Sequence, residues 1–495
     1  MKKLDTSLLC LLVMAFLILQ SCSKEEDILL DATNSLTTDL DESISAWEEV
    51  ELEARTSNDI SQLNTNILAQ WTNTFLEVER YAAGMRPNGS ARAMAYIYLA
   101  SYETAAPAMR DHVSAAATLG GIDVEVPSEL GSIDWEIALN ESFSITLNHF
   151  LINVPVAIKA KIDVVHDQLD SYLSIGVPPS VVSDSKSWGA LVANTVIEYS
   201  QTDRAAEEQM LEPQPRSYEP PTGDGFWTYS ADPERALFPY WESVRTFVIS
   251  PNQTSTVPPI QYSEERNSRY FRQMQEVYRA NNSARENNDE MLWVAEFWSD
   301  DVEGLMFSPP ARQFAIANQL ISMYDMNLEE ALVMYLKLGC SLNDAAVATW
   351  KYKYQYMVMR PNVYIKEFID PDFQTNLFRL VYWPNPSFPG YPSGHSAFAS
   401  AAAGVFIDFF GDRTNFTDRC HEGREEFRGE PRTYRKFSDM AWENAYSRVP
   451  LGVHVRMDCR EGLRLGYEIA DAINRIDLSR NAQRVKSNES LAVFE

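Results

Sequence analysis

YPSGHSAFASAAAG (residues 391–404) joins a turn to a run of very small side chains. Pro392 and Gly394 interrupt regular structure, and the alanine and serine run after them is a strong helix former. Ser393, Gly394 and His395 therefore fall at or just before a helix N-terminus, where backbone N–H groups lack partners and the dipole favours an anion. A helix with so little on its surface can press deep into a bundle. Two readings stay open at this point. One is a plain cap with Ser393 as the capping residue; the other is a helix end that holds an oxyanion beside a proton-transferring imidazole.

Helical periodicity governs most of the chain around this stretch. From about residue 62, apolar residues recur at the helical spacing through ISQLNTNILAQWTNTFLEVERYA, SARAMAYIYLASYETAAPAM, SIDWEIALNESFSITLNHFLI and SKSWGALVANTVIEYSQTD. Convincing alternating strands are scarce. Residues 212–261 are rich in proline and aromatics (EPQPRSYEPPTGDGFW, LFPYW, VPPIQY), too aromatic for a free linker, so an ordered wrap over the helices is expected. Helices resume near residue 262 and run to about 476. The expectation is an all-α fold of two consecutive helical bundles joined by a Pro- and aromatic-rich connector. Residues 61–250 form the first bundle and connector, 251–480 the second bundle with the chemistry, and 481–495 a tail.

At 495 residues and 45% apolar content, the chain is long enough to bury a deep core. Its start is set apart. Lys2 and Lys3 precede the apolar run Ser7–Leu19, which suits a signal peptide and is too short for a membrane span. It ends in Leu19-Gln20-Ser21-Cys22, which resembles a bacterial lipoprotein signal. Residues 1–21 are then expected to be removed and Cys22 lipidated, with 22–60 as an acidic tether. The expected location is the cell envelope, at the outer membrane and facing the periplasm or the surface, with the lipid as the only hold on the membrane. A formal charge of −28 argues against nucleic acid and anionic headgroups as partners, and requires any anion site to carry its own cluster of Arg and Lys. No second apolar stretch reaches the roughly 18 residues of a membrane span. Among Cys340, Cys420 and Cys459, the pair Cys420–Cys459 is the candidate disulfide, and the spacing is not that of a zinc site.

Three blocks in the second half supply such a cluster. WKYKYQYMVMRP places Lys353 and Arg360 two helical turns apart, on one face, among Trp350 and several Tyr and Met residues, and Pro361 then ends the helix. PSGH supplies Ser393, Gly394 and His395. SRVPLGVHVRMD supplies Arg448, His454 and Asp458; the last two stand one turn apart, so the carboxylate can hold one imidazole nitrogen and leave the other free. Lys353, Arg360 and Arg448 can neutralise a trianionic tetrahedral group, the arginines as forks and the lysine as a point charge. Ser393 and the Gly394 N–H take remaining oxygens. His454 is left to attack or coordinate the central atom, and His395 to move the apical proton.

Lys-x6-Arg-Pro, then Pro-Ser-Gly-His, then Ser-Arg-x5-His-x3-Asp resembles the three-part signature of the type-2 phosphatidic acid phosphatase and vanadium haloperoxidase superfamily. RPNGSARAMAYIYLASYETA, LFPYWESVRTF, AEFWSDDVEGLMFSPPARQFAIANQL and TWKYKYQYMVMRP are similar to the longer vanadium-dependent haloperoxidases, so the likeness spans roughly residues 65–475. The resemblance implies vanadate as cofactor, held by Lys353, Arg360, Ser393, Gly394 and Arg448, with His454 as the vanadium ligand and His395 as acid–base. It implies hydrogen peroxide, a halide and a small organic acceptor as reactants, and a hypohalous species as product. Asp300, with Asp301 as an equal candidate, corresponds to a family aspartate that pairs with the third-motif arginine. Phe388 stands where members differ, and an aromatic there resembles the chloride-capable fungal type. The alternative is a metal-free acid phosphatase that uses the same pocket and forms a phosphohistidine at His454.

Overall fold

Capping side chains set where the long helices begin. In the computed structural model, Asp134 caps Trp135–Phe150, Ser308 caps Pro309–Met323, Asn327 caps Leu328–Tyr356 and Ser393 caps Gly394–Phe410, each accepting a backbone N–H of the first turn. Residues 44, 47, 50–128, 130–229, 235–286, 288–300, 302–379 and 385–480 are described. The signal stretch 1–21, Cys22, the first part of the tether, Asp301 and the tail 481–495 lie outside them.

The 29-residue helix Leu328–Tyr356 is the axis of the fold. By length and composition it suffices to cross a membrane, yet 94% of its most apolar window is buried inside the protein. On one side it packs on Asn88–Ala105 of the first half, and on the other on Gly394–Phe410. The approach to Asn88–Ala105 depends on Gly339, where an added Cβ would come within 2.8 Å of Ala95 Cα. The Ala/Ser helix Gly394–Phe410 does press deep: it packs against Leu328–Tyr356, Phe437–Leu451 and Arg456–Asn474. A side chain at Gly462, on the last of these, would overlap the Ser393 carbonyl.

One apolar core, including Trp71, Tyr98, Phe314, Trp350, Phe398 and Ile473, continues from the first half into the second. The connector is ordered where it is described, and it wraps the axis. Trp227 N donates to Met357 O, Leu237 N to Ser387 O, and the Asp344 carboxylate takes the N–H groups of Phe247, Val248 and Ile249. Strand among the described residues is confined to one antiparallel ribbon, Phe416–Asp418 with Arg432–Tyr434. The expected disulfide is not made. Cys340, Cys420 and Cys459 are free thiols, with Cys420 Sγ accepting from Gln319 Nε2 and Cys459 in an apolar cluster beside Val449 and Val455.

Candidate active site

The three sequence blocks meet at one small buried cavity of ≈ 20 Å³, lined by Trp350, Phe388, Gly394, His395, Arg448 and His454 among others. Lys353 comes from the last turn of Leu328–Tyr356, which Met357 closes in the left-handed conformation (φ 49). Arg360 does not share that helix as expected: the helix ends at Tyr356, and Arg360 is the N-cap residue of Pro361–Phe368, so Pro361, with its φ already set for a first turn, opens a helix and does not end one. Ser393, Gly394 and His395 form the start of Gly394–Phe410. Arg448 lies in the last turn of Phe437–Leu451, which Gly452 ends at φ 92, and His454 follows on the short link to Arg456–Asn474. All are buried.

His454 is held at both nitrogens. Nδ1 donates to Asp458 Oδ2 at 3.1 Å, and Nε2 accepts from Arg360 Nη1 at 3.1 Å. A carboxylate on one nitrogen and a guanidinium donor on the other fix the neutral tautomer with its lone pair on Nε2. Burial, with Arg360, Lys353 and Arg448 around it, holds the imidazole well below its usual range. Burial also pushes the Asp458 carboxyl up to about 6. Asp458 is fixed in turn by the Val455 N–H at 3.3 Å.

Arg360 is aimed by carbonyls: Nε donates to Phe388 O at 2.9 Å and Nη1 to Val453 O at 3.0 Å. Lys353 Nζ donates to the carbonyls of Pro389, Gly390 and Pro392 at 3.0, 3.3 and 2.6 Å. Its three hydrogens thus go to the proline-rich turn, so Lys353 acts on the cavity by its charge. Burial, Arg360 and Arg448 press its ammonium well below the usual lysine range, against the pull of Asp458. The cations crowd one another in a buried place, and an anion would relieve them all. That donor set, a cationic cradle plus a single neutral imidazole lone pair, suits a tetrahedral oxyanion such as vanadate. The Phe388 ring lies 4.9 Å from Trp350 and under both cations, 5.0 Å from Lys353 Nζ and 4.9 Å from the Arg360 guanidinium.

Two backbone carbonyls that no sequence pattern announces complete the site. Arg448 Nη1 donates to Trp298 O at 3.0 Å and to Ser299 O at 3.2 Å, and His395 Nε2 meets the same Ser299 O at 3.2 Å. The Ser299 carbonyl thus orients the His395 imidazole at the cavity wall. Asp300 Oδ1 accepts from Arg312 Nη1 at 3.1 Å, and its equal candidate for the Arg448 partner, Asp301, lies outside the described residues. Pro87, Pro309, Pro386 and Phe398 also line the cavity. Their signal in the sequence is faint, although RPNG and SPPARQF each set a proline in a stretch of apparent helix start.

Residues 333–479 match the family described as VCPO second helical-bundle domain. Over 213 residues the chain is 22% identical to the vanadium chloroperoxidase of Curvularia inaequalis; the alignment covers 33% of this chain and 35% of that protein, about a third of the curated relative. Among solved structures, a bacterial vanadium-dependent iodoperoxidase superposes with TM-score 0.74 at 25% identity, over 84% of this chain and 98% of that one. The apo form of a bacterial vanadium-dependent chloroperoxidase has the same fold, with TM-score 0.61 at 17% identity over 84% of this chain and 98% of that one.

Proposed function

We propose that this chain, whose residues 333–479 match the VCPO second helical-bundle domain, oxidises a halide with hydrogen peroxide to a hypohalous species when vanadate is bound in the His454 cavity. The observation that carries the reading is the Nε2 lone pair of a neutral His454, buried beside three cations that want an anion. The likeness to a bacterial iodoperoxidase over 84% of this chain favours this chemistry over the phosphatase that the same pocket residues allow.

Bound vanadate supplies a Lewis acid that makes peroxide a stronger oxidant. His454 would hold it through Nε2, with Arg360 and Arg448 as forked donors, Lys353 as a buried charge, and Ser393 and the Gly394 N–H at the helix N-terminus. Asp458 keeps the His454 proton on Nδ1, so the lone pair stays aimed at the cavity. His395, oriented by Ser299 O, is the acid–base group. Trp350, Phe388, Phe398 and the three prolines give the cavity apolar walls that strengthen every charge inside it. Iodide and bromide are the halides proposed, since they give up electrons more readily than chloride. A small organic acceptor would take the oxidised halogen. Anchoring through a lipidated Cys22 in the cell envelope belongs to the same proposal and rests on the Leu19–Cys22 signal alone.

The test uses one anion whose effect has opposite signs in the two chemistries. Purified apo protein should not halogenate a phenol dye with peroxide and iodide or bromide; vanadate should switch the reaction on, and phosphate should suppress that activation competitively. Vanadate acting only as an inhibitor of robust, vanadate-free nitrophenyl phosphate hydrolysis would overturn the reading.

A further inference from the structure

Four consecutive carbonyls, from Phe297 to Asp300, each meet an Arg or His side chain. Phe297 O accepts from Arg312 Nη1 at 3.0 Å, and Asp300 O from Arg86 Nη2 at 3.0 Å. Between them, Trp298 O and Ser299 O serve Arg448 and His395, which line the cavity. The turn is thus gripped at its ends by residues outside the cavity and spends its middle on residues inside it. Asp300 holds the reversal in the left-handed conformation (φ 44), which a residue with a side chain keeps only when its surroundings enforce it.

Arg312 is the main enforcer. Fully buried in the first turn of Pro309–Met323, it donates to Phe297 O, to Asp300 Oδ1 and, through Nη2, to Asp418 Oδ2 of the ribbon at 2.8 Å. The His421 ring closes on Nη1, and the Phe297 and Trp298 rings each lie 4.5 Å from the guanidinium. A buried guanidinium needs partners for its donors, and the turn supplies two of those that Nη1 has, while Asp418 takes Nη2 and Nε has no hydrogen-bond partner. The far side of the turn is tied as well, by Trp298 Nε1 to Glu443 on the helix that carries Arg448.

We propose that Arg312 is a positioning residue for the reaction: through the Phe297–Asp300 turn it sets where Arg448 and His395 stand, without touching the cavity itself. Because both groups share Ser299 O, a displaced turn moves an anion contact and the proton-transferring imidazole together. The kinetic part of this rests on the haloperoxidase reading; the binding part does not.

The test compares wild type with Arg312→Lys, which keeps the charge and loses the fork, and with Asp418→Asn, which loosens Arg312 from behind and leaves the turn's own contacts chemically intact. The measurements are inorganic phosphate affinity of the apo chain by calorimetry, kcat and KM for bromide with vanadate loaded, the pH profile of kcat, and thermal unfolding. Arg312→Lys should fold and bind phosphate about tenfold more weakly, the worth of one charge-assisted contact. Its kcat should fall by up to about 10²-fold, as for a misplacement of about 1 Å, with KM for bromide nearly unchanged and the His395 limb of the pH profile moved. Asp418→Asn should shift each quantity the same way by less, and it carries the test if the Lys variant does not fold. If stability falls while phosphate affinity and the pH profile stay at wild-type values, Arg312 is only a structural residue and the proposal fails. A wild type inert to vanadate, peroxide and halide refutes the function instead, and the phosphate affinities still decide the role of Arg312.

Discussion

Replacing Asp458 by Asn separates the bond that His454 offers from the cradle around it. The carboxylate holds His454 Nδ1–H at 3.1 Å and is itself held by Val455 N–H at 3.3 Å, both in the buried interior. An amide of the same shape has one oxygen in place of two, and its NH₂ opposes the imidazole donor. A buried charge-assisted hydrogen bond contributes about 1.5–3 kcal/mol. The loss of a carboxylate that orients a metal-ligating histidine weakens metal affinity about 10–100-fold, or about 1.4–2.8 kcal/mol, so the two scales agree. A second effect runs the other way: removing a negative charge beside Lys353 and Arg360 strengthens the cradle for any anion. That gain is common to phosphate and vanadate, whereas the orientation of Nε2 matters only to the anion that His454 ligates. Calorimetric titration of both anions into the wild type and Asp458→Asn therefore isolates the bond as a ratio. The preference for vanadate over phosphate should fall by about tenfold or more. An unchanged ratio, with both affinities moving together, would refute the assignment of His454 as ligand.

Arg360→Ala and Arg448→Ala should each weaken phosphate and vanadate binding about tenfold or more by calorimetry, because each removes a charge-assisted contact. His454→Ala should lose vanadate, whereas His395→Ala should still bind it and turn over about 10²–10⁴-fold more slowly; equal loss of vanadate from both would contradict that division of roles. The stability of the apo chain should carry the mark of Asp458. Its carboxyl sits at about 6, against about 3.9 when unfolded, so its contribution is complete below about pH 4 and is lost as pH rises through 6. His454, held low, works in the opposite sense in this window, losing stability as pH falls below its unfolded value. The Tm of Asp458→Asn relative to wild type should therefore climb between pH 4 and 6; a flat difference would show that Asp458 does not titrate there.

What was legible in the sequence were side chains that announce themselves by type and spacing. Lys353, Arg360, Ser393, Gly394, His395, Arg448, His454 and Asp458 come together as their blocks suggested, with Trp350 and Phe388 beside them. The helical period and the depth of the Ala/Ser helix were legible too, since both depend on local composition. What was hidden is carried by backbone. The Ser299 and Trp298 carbonyls have no residue signature, and neither do the three that take the hydrogens of Lys353 and leave it the point charge that the sequence suggested. Arg312 and Asp418 are 106 residues apart and look like ordinary surface charges until the ribbon folds over the Pro309–Met323 helix. The candidate disulfide failed for a related reason: the surroundings of two cysteines in space are not encoded in their count.

The axis helix carries Lys353 at one end and packs Asn88–Ala105 along its length, while Pro87, at the start of that neighbour, walls the cavity. Neither half can therefore be bred, trimmed or exchanged as a cassette. A C-terminal fragment beginning at residue 333 would carry every motif and still lack the Pro87 and Pro309 walls, the Trp298 and Ser299 carbonyls and the cover that Asn88–Ala105 gives the axis helix. A substitution in the first half, far from any signature residue, can then reshape the pocket of this chain, and mutagenesis confined to the motifs would overlook it.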